Sequence, residues 1–166
     1  MNRAGQFFRA LSARIGAEDE RYIAAHLPPK GQELFFAMHL ADQYHALNVA
    51  YTAEILADEH GSALDREFLI RCALLHDVGR VRGDLGIMGK VLAVLVHSFF
   101  PEASMRWARR GWHLMYVYYH HPEIGAEKLM AAGFREEAAV VRLHHQPPQD
   151  GDSLVLRILR KADEMN

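Results

Sequence analysis

Two adjacent side chains, His76 and Asp77, carry the clearest chemistry in this chain. They end the apolar run Ala73-Leu74-Leu75 and are followed by Val78-Gly79-Arg80. Adjacent residues on a helix point about 100° apart and ordinarily serve different neighbours. Where the helix stops at a glycine, both can turn toward one point. Imidazole with carboxylate is a ligand mixture suited to Zn, Fe or Mn. The dipeptide alone is weak, and its bland reading is a helix-end cap. Its company strengthens it: His45 before, then His120, His121, His144, His145 and Asp163 after. Asp77 has the least replaceable place in this set, because a carboxylate has two oxygens and can bridge two cations, which an imidazole cannot.

Each remaining candidate has a plainer alternative. A lone His45 reads as a core or surface histidine; its place 31 residues ahead of His76, one helical hairpin away, shifts it toward a ligand. Asp163 follows Leu156, Ile158, Leu159 and Ala162 on an amphipathic pattern, and could be a solvated acid beside Lys161 and Glu164. Arg80 and Arg82 stand where a cation could hold a phosphate, with a surface role as the alternative. His26, His39, His60, His97 and His113 have no motif around them and read as surface or satisfied histidines.

Taken in order, five segments resemble the HD superfamily of metal-dependent phosphohydrolases over about residues 38 to 165. They are Asp42-Gln43-Tyr44-His45-Ala46-Leu47, His76-Asp77-Val78-Gly79, His121-Pro122-Glu123-Ile124-Gly125-Ala126-Glu127, Arg142-Leu143-His144-His145 and Lys161-Ala162-Asp163. The third segment followed by a double His looks like the HD-GYP branch. That branch continues Asp-Gly-x-Gly-Tyr-Pro, whereas this chain reads Gln146-Pro147-Pro148-Gln149-Asp150-Gly151, so cyclic-di-GMP specificity is not implied. The Glu-Asp pair of guanosine-tetraphosphate hydrolases is also absent, since Val78-Gly79-Arg80-Val81 follows His76-Asp77.

The resemblance implies a metal set of His45, His76, Asp77, His121, His144 and Asp163. It favours His121 over His120, because the family's ligand stands directly before the proline, and His144 over His145. His145 could be a substrate-facing group or an additional ligand. One divalent ion would use His45, His76, Asp77 and Asp163; a second would share Asp77 with His121 and His144. The ion could be Fe, Mn, Zn, Co or Ni. A metal-activated water would then hydrolyse a phosphomonoester or phosphodiester, expected to be a nucleotide, with Asp77, Arg80 and His145 in the catalytic set. If only the first site holds metal, His121 and His144 would handle substrate or donate a proton. Two rivals use the same ligands: a di-iron oxygenase, and a metal-binding sensor or interaction module without turnover.

The elements that must position these residues are helices. Periodicity is helical almost throughout, with no alternating run long enough for a strand. Phe7, Leu11 and Ile15 recur every four residues. Further helices are expected over 18–27 (stopped by Pro28-Pro29), 32–40, 42–60, 65–76, 90–100, 103–110, 112–120, 122–132 (opened by Pro122), 136–145 and 153–165. The last would be capped by Asp152 or Ser153. An all-α, HD-domain-like compact bundle of about seven to nine helices results, read as one domain over 1–166. Its core is about 38–165, with a helical insertion of about 83–119. That insertion is rich in Leu92, Leu95, Phe99, Phe100, Trp107, Trp112 and Tyr116, and reads as a hairpin packed on the core, a lid, a dimer surface, or an apolar contact with substrate or membrane.

Composition narrows the partners. Half of the 166 residues are hydrophobic and 24% are charged, ordinary for a globule able to bury a core. A net charge of −2 gives no sign of a nucleic-acid surface. The single cysteine, Cys72, excludes a disulfide framework and reads as a buried, inert thiol. Residues 1 to 16 lack the apolar region of a signal peptide, and no apolar run is long enough to span a bilayer. A cytoplasmic protein acting on a small-molecule phosphoester is expected, with a homodimer as one assembly open to it.

Overall fold

The computed structural model describes residues 14–58, 64–80 and 87–166. The repeat at Phe7 and Leu11, together with His60 and Arg82, lies outside the described residues. Within them the chain is all-α: α1 (Ala17–His26), α2 (Pro29–Ala37), α3 (Leu40–Asp58), α4 (Arg66–Leu75), α5 (Ile87–Phe99), α6 (Pro101–Arg109), α7 (His113–Ala132), α8 (Arg135–Leu143) and α9 (Leu154–Met165). No strand occurs among the described residues.

Local chemistry sets the boundaries. Asp65 caps α4 by accepting from the Phe68 amide at 2.9 Å. Ser153, rather than Asp152, caps α9 by accepting from the Leu156 amide at 3.2 Å. Gly133 closes α7 with a left-handed φ of 98°. Two prolines depart from the sequence expectation. Pro29 opens α2 as its first residue, where its missing N–H costs nothing, so that helix begins three residues early. Pro122 does not open a new helix: it lies inside α7, which runs unbroken for 20 residues. A proline there leaves the carbonyl four residues earlier, that of Tyr118, without its helical donor. His121 supplies one, its Nδ1 lying 3.0 Å from the Tyr118 oxygen. The same histidine that faces the site therefore repairs the helix that carries it.

One large core joins α1 to α4 with α8, α9 and the C-terminal half of α7 through Phe35, Leu47, Leu69, Leu74, Leu129 and Leu159. A smaller core of Ala93, Ala108 and Met115 joins α5 and α6 to the N-terminal half of α7. A buried relay stitches it: Ser104 Oγ donates to the Pro101 carbonyl at 2.7 Å, and the Tyr119 hydroxyl lies 2.7 Å from both Ser104 Oγ and His97 Nδ1. His97 is thus a satisfied histidine, as is His26 against Glu67 at 2.9 Å. No helix among the described residues is long and apolar enough to cross a membrane.

Cys72 is fully buried in the larger core, and burial pushes its thiol well above the ordinary value. Mass spectrometry is expected to find it unmodified after iodoacetamide treatment of the folded protein and fully alkylated after denaturation.

Candidate metal centre

Five helices converge on one point. His45 comes from the first half of α3, His76 and Asp77 from the end of α4, His121 from the middle of α7, His144 and His145 from the end of α8, and Asp163 from α9. His76 and His144 occupy the same local position. Each is the C-cap of its helix and keeps helical angles (φ −62°, ψ −31° and φ −63°, ψ −26°). Each folds its ring back over the last turn, with Nδ1 2.8 Å from the Ala73 carbonyl and 2.6 Å from the Val141 carbonyl respectively. A carbonyl only accepts, so the proton belongs on Nδ1 in both rings, and in His121 by the same argument. All three rings therefore turn Nε2 inward with the Nδ1 proton fixed behind it, which in a neutral imidazole is the tautomer a metal ligand needs.

Two of those nitrogens and one carboxylate oxygen are left over by the protein's own hydrogen bonding. His76 Nε2, His144 Nε2 and Asp77 Oδ1 are buried without a hydrogen-bond partner among the described residues. Leaving one such acceptor unmet costs about 1–3 kcal/mol. His121 Nε2 and Asp77 Oδ1, both acceptors, face each other at 3.4 Å. Acceptors converging in this way call for a cation between them, and the donor set fits a divalent metal. Three overlapping groups offer ligand atoms within 4.8 Å of one another: Asp77, His121, His144 and His145; His45, His76 and Asp77; and His76, His144 and Asp163.

Charge is arranged to suit. Burial opposes ionisation of Asp77, but Arg80 and the surrounding imidazoles outweigh it and hold its carboxyl well below the usual range. Burial likewise works against Asp163, yet the His45 Nε2 contact at 3.0 Å keeps it below its ordinary value. Burial, then the neighbouring His76, pushes His144 down to about 3. Burial and Arg80 hold His121 low as well. The cluster thus presents ionised carboxylates beside neutral His121 and His144 near neutral pH.

The structure brings together all six of the expected ligands, with His145 also in reach of one candidate group, and the two paired histidines differ in burial and surroundings. His121 is buried against Asp77, whereas the His120 ring lies 4.6 Å from Tyr116. His144 is buried, and His145 stands exposed at the mouth, its ring 4.1 Å from His144 and 4.8 Å from His121.

Arg80 reaches inward. Its Nη1 donates to Asp77 Oδ2 at 2.9 Å and lies 3.9 Å from Asp42 Oδ1; its Nη2 donates to His121 Nε2 at 2.9 Å. The guanidinium thus bonds two of the atoms a cation would use. Arg80→Met is expected to tighten metal binding about tenfold by removing this competitor. It should also lower any phosphoester turnover about a hundredfold, because the donor for a phosphoryl oxygen is lost. Calorimetric titration with Mn and steady-state kinetics would check the two opposing signs.

Three supporting cations escaped the sequence reading. Lys128 Nζ donates to the Val78 carbonyl at 3.1 Å, holding the turn after His76-Asp77. Arg160 donates to the Leu143 carbonyl at 2.8 Å and the His144 carbonyl at 3.2 Å, and pairs with Asp152. Helix ends leave such carbonyls unmet, and cations there satisfy them. Arg71 pairs with Glu137 at 2.8 Å and ties α4 to α8. The spacing of Arg160 three residues before Asp163 is the only trace of its role in the sequence.

Comparison with known proteins gives one family and no individual relative. No curated protein and no solved structure matched the chain. The model of the HD domain matches residues 43–166, a stretch that begins two residues before His45 and contains every residue of the cluster. With three quarters of its length matched, and an all-α fold built around its His-Asp pair, this chain belongs to the HD-domain family.

Proposed function

We propose that this protein is a metal-dependent phosphohydrolase that cleaves a phosphomonoester or phosphodiester of a nucleotide. The main support is the convergence of unpartnered, buried acceptors, His76 Nε2, His144 Nε2 and Asp77 Oδ1, beside an inward guanidinium and an exposed histidine. His45, His76, Asp77 and Asp163 are proposed to hold one divalent ion, with Asp77, His121 and His144 holding a second. When bound, such ions supply a Lewis acid and lower the pKa of water from 15.7 toward about 7.

The chain's own residues do the rest. Asp77, kept ionised, gives each of its oxygens to a different side of the cluster. His76, His121 and His144 would offer their inward Nε2 lone pairs while their Nδ1 protons stay fixed on backbone carbonyls. Arg80 is placed to bind phosphoryl oxygens once it releases Asp77. His145, at the mouth, is placed to pass a proton to or from the departing alcohol. Residues 83–119 are proposed as a helical insertion in a core spanning about 38–165.

The test is a panel of phosphomonoesters, phosphodiesters and nucleoside phosphates, assayed with Mn- and Fe-loaded protein under nitrogen and under air. Hydrolysis that chelation abolishes is expected, read as free phosphate from a monoester or as the phosphomonoester and alcohol formed from a diester. Oxygen consumption without ester hydrolysis would turn the reading to an oxygenase, and metal-loaded protein inert in both assays would contradict enzymatic turnover.

A further inference from the structure

The hairpin of α5 and α6 spends its inner side on the fold and leaves an outer side whose chemistry is unusual. Ala93, Ala108 and Met115 are its buried contacts, with Ser104 and Tyr119 bonded beneath them. Outside, Leu92, Leu95 and Phe99 recur on one face of α5, and Phe100 follows at the bend. Phe99 is 72% exposed and Phe100 61%. Both tryptophans of the chain, Trp107 and Trp112, also lie here and are exposed, their rings 5.2 Å apart at 82°. With Arg110 they line a shallow open cleft.

Charge says what covers this surface. Residues 92–113 carry three cations, Arg106, Arg109 and Arg110, against one acid, Glu102, in a chain whose net charge is −2. The three arginines are exposed on and just after α6, flanked by Met105 and Trp107. A second copy meeting this face about a two-fold axis would gather six arginines against two acids in one interface, since an isologous contact uses the same patch of both copies. An anionic lipid surface meets no such repulsion. Exposed phenylalanine and leucine enter the acyl boundary, indole rings favour the headgroup level, and arginines stay with the phosphates. No described helix can span a bilayer, so the contact would be in the interfacial plane.

We propose that the α5–α6 hairpin docks the protein on anionic membrane surfaces. The full chain would be mixed with vesicles of phosphatidylcholine alone and of equal phosphatidylcholine and phosphatidylglycerol, at low and high salt. Because Trp107 and Trp112 are the only tryptophans, their emission reports on this hairpin alone. A blue shift and co-sedimentation with the anionic vesicles only, both weakened by salt, are expected. Arg106→Gln, Arg109→Gln and Arg110→Gln combined should weaken partitioning about a hundredfold, and Leu95→Ser with Phe99→Ser should abolish the blue shift. Wild-type protein that stays in the supernatant with unchanged emission would overturn the proposal without recourse to any variant. So would a lipid-independent blue shift that grows with protein concentration and sediments as a dimer, which would assign the face to a second copy.

Discussion

Asp77→Asn is expected to remove metal binding and, with it, at least about a thousandfold of any phosphoester turnover. The change is nearly isosteric, so the fold should survive, but it replaces two anionic oxygens by one neutral oxygen and an amide that donates. Asp77 participates in two of the three ligand groups, so no arrangement of the remaining side chains restores both. Losing an outer partner of a metal ligand costs about 10–100-fold in affinity; losing the ligand that both halves share must cost more. Arg80 would also lose its carboxylate at 2.9 Å, leaving a part-buried cation beside His121 and the more distant Asp42. Inductively coupled plasma measurement of metal per chain, with circular dichroism as the folding control, would check the expectation. Full metal occupancy in the variant would contradict it.

Gly79→Ala is expected to be the most damaging single methyl group in the protein. A Cβ at Gly79 would stand 2.0 Å from the His121 carbonyl oxygen and 2.8 Å from its carbon, with the Gly125 nitrogen at 3.0 Å. All three are backbone atoms of α7, so no side chain can rotate aside. The turn after His76-Asp77 and α7 would have to separate, drawing His121 away from Asp77. Overpacking a close-packed interior ordinarily costs about 1–3 kcal/mol, occasionally more, and a clash with main chain belongs at the top of that range or beyond. For a chain of this size each kcal/mol moves the melting temperature by about 2–4 °C. A fall of at least about 8 °C is expected by differential scanning calorimetry, together with lost metal affinity in whatever fraction folds. Gly125→Ala should be milder, since its Cβ would meet the Gly79 nitrogen at 3.1 Å and the Val141 side chain at 3.5 Å. Equal stabilities for wild type and Gly79→Ala would show that the turn and α7 are not held this closely.

The six-residue cluster was legible because its chemistry is encoded in residue type and order: His-Asp at a helix end, paired histidines, a distal aspartate. The helices were legible from period and from breakers, with an instructive error at Pro122. Proline ordinarily starts or stops a helix, and the exception here needs a side-chain donor, His121, whose orientation no periodicity reveals. The sequence offered Arg80 as a phosphate-holding cation, with a surface role as the alternative; its hydrogen bonds to Asp77 and His121 are what no spacing reveals. Lys128 and Arg160 act on backbone carbonyls, which residue types do not announce; only the place of Arg160 three residues before Asp163 hints at its role.

The central claim is that this cluster binds divalent metal. It is tested most directly by elemental analysis of protein purified without air and then equilibrated with Mn, Fe, Co, Ni or Zn, for wild type and for His76→Ala with His144→Ala. The account predicts at least one equivalent per chain in the wild type and almost none in the folded double variant, whose two unpartnered Nε2 atoms are gone. A folded wild-type protein that retains none of these ions, or a double variant that retains as much as the wild type, would contradict it.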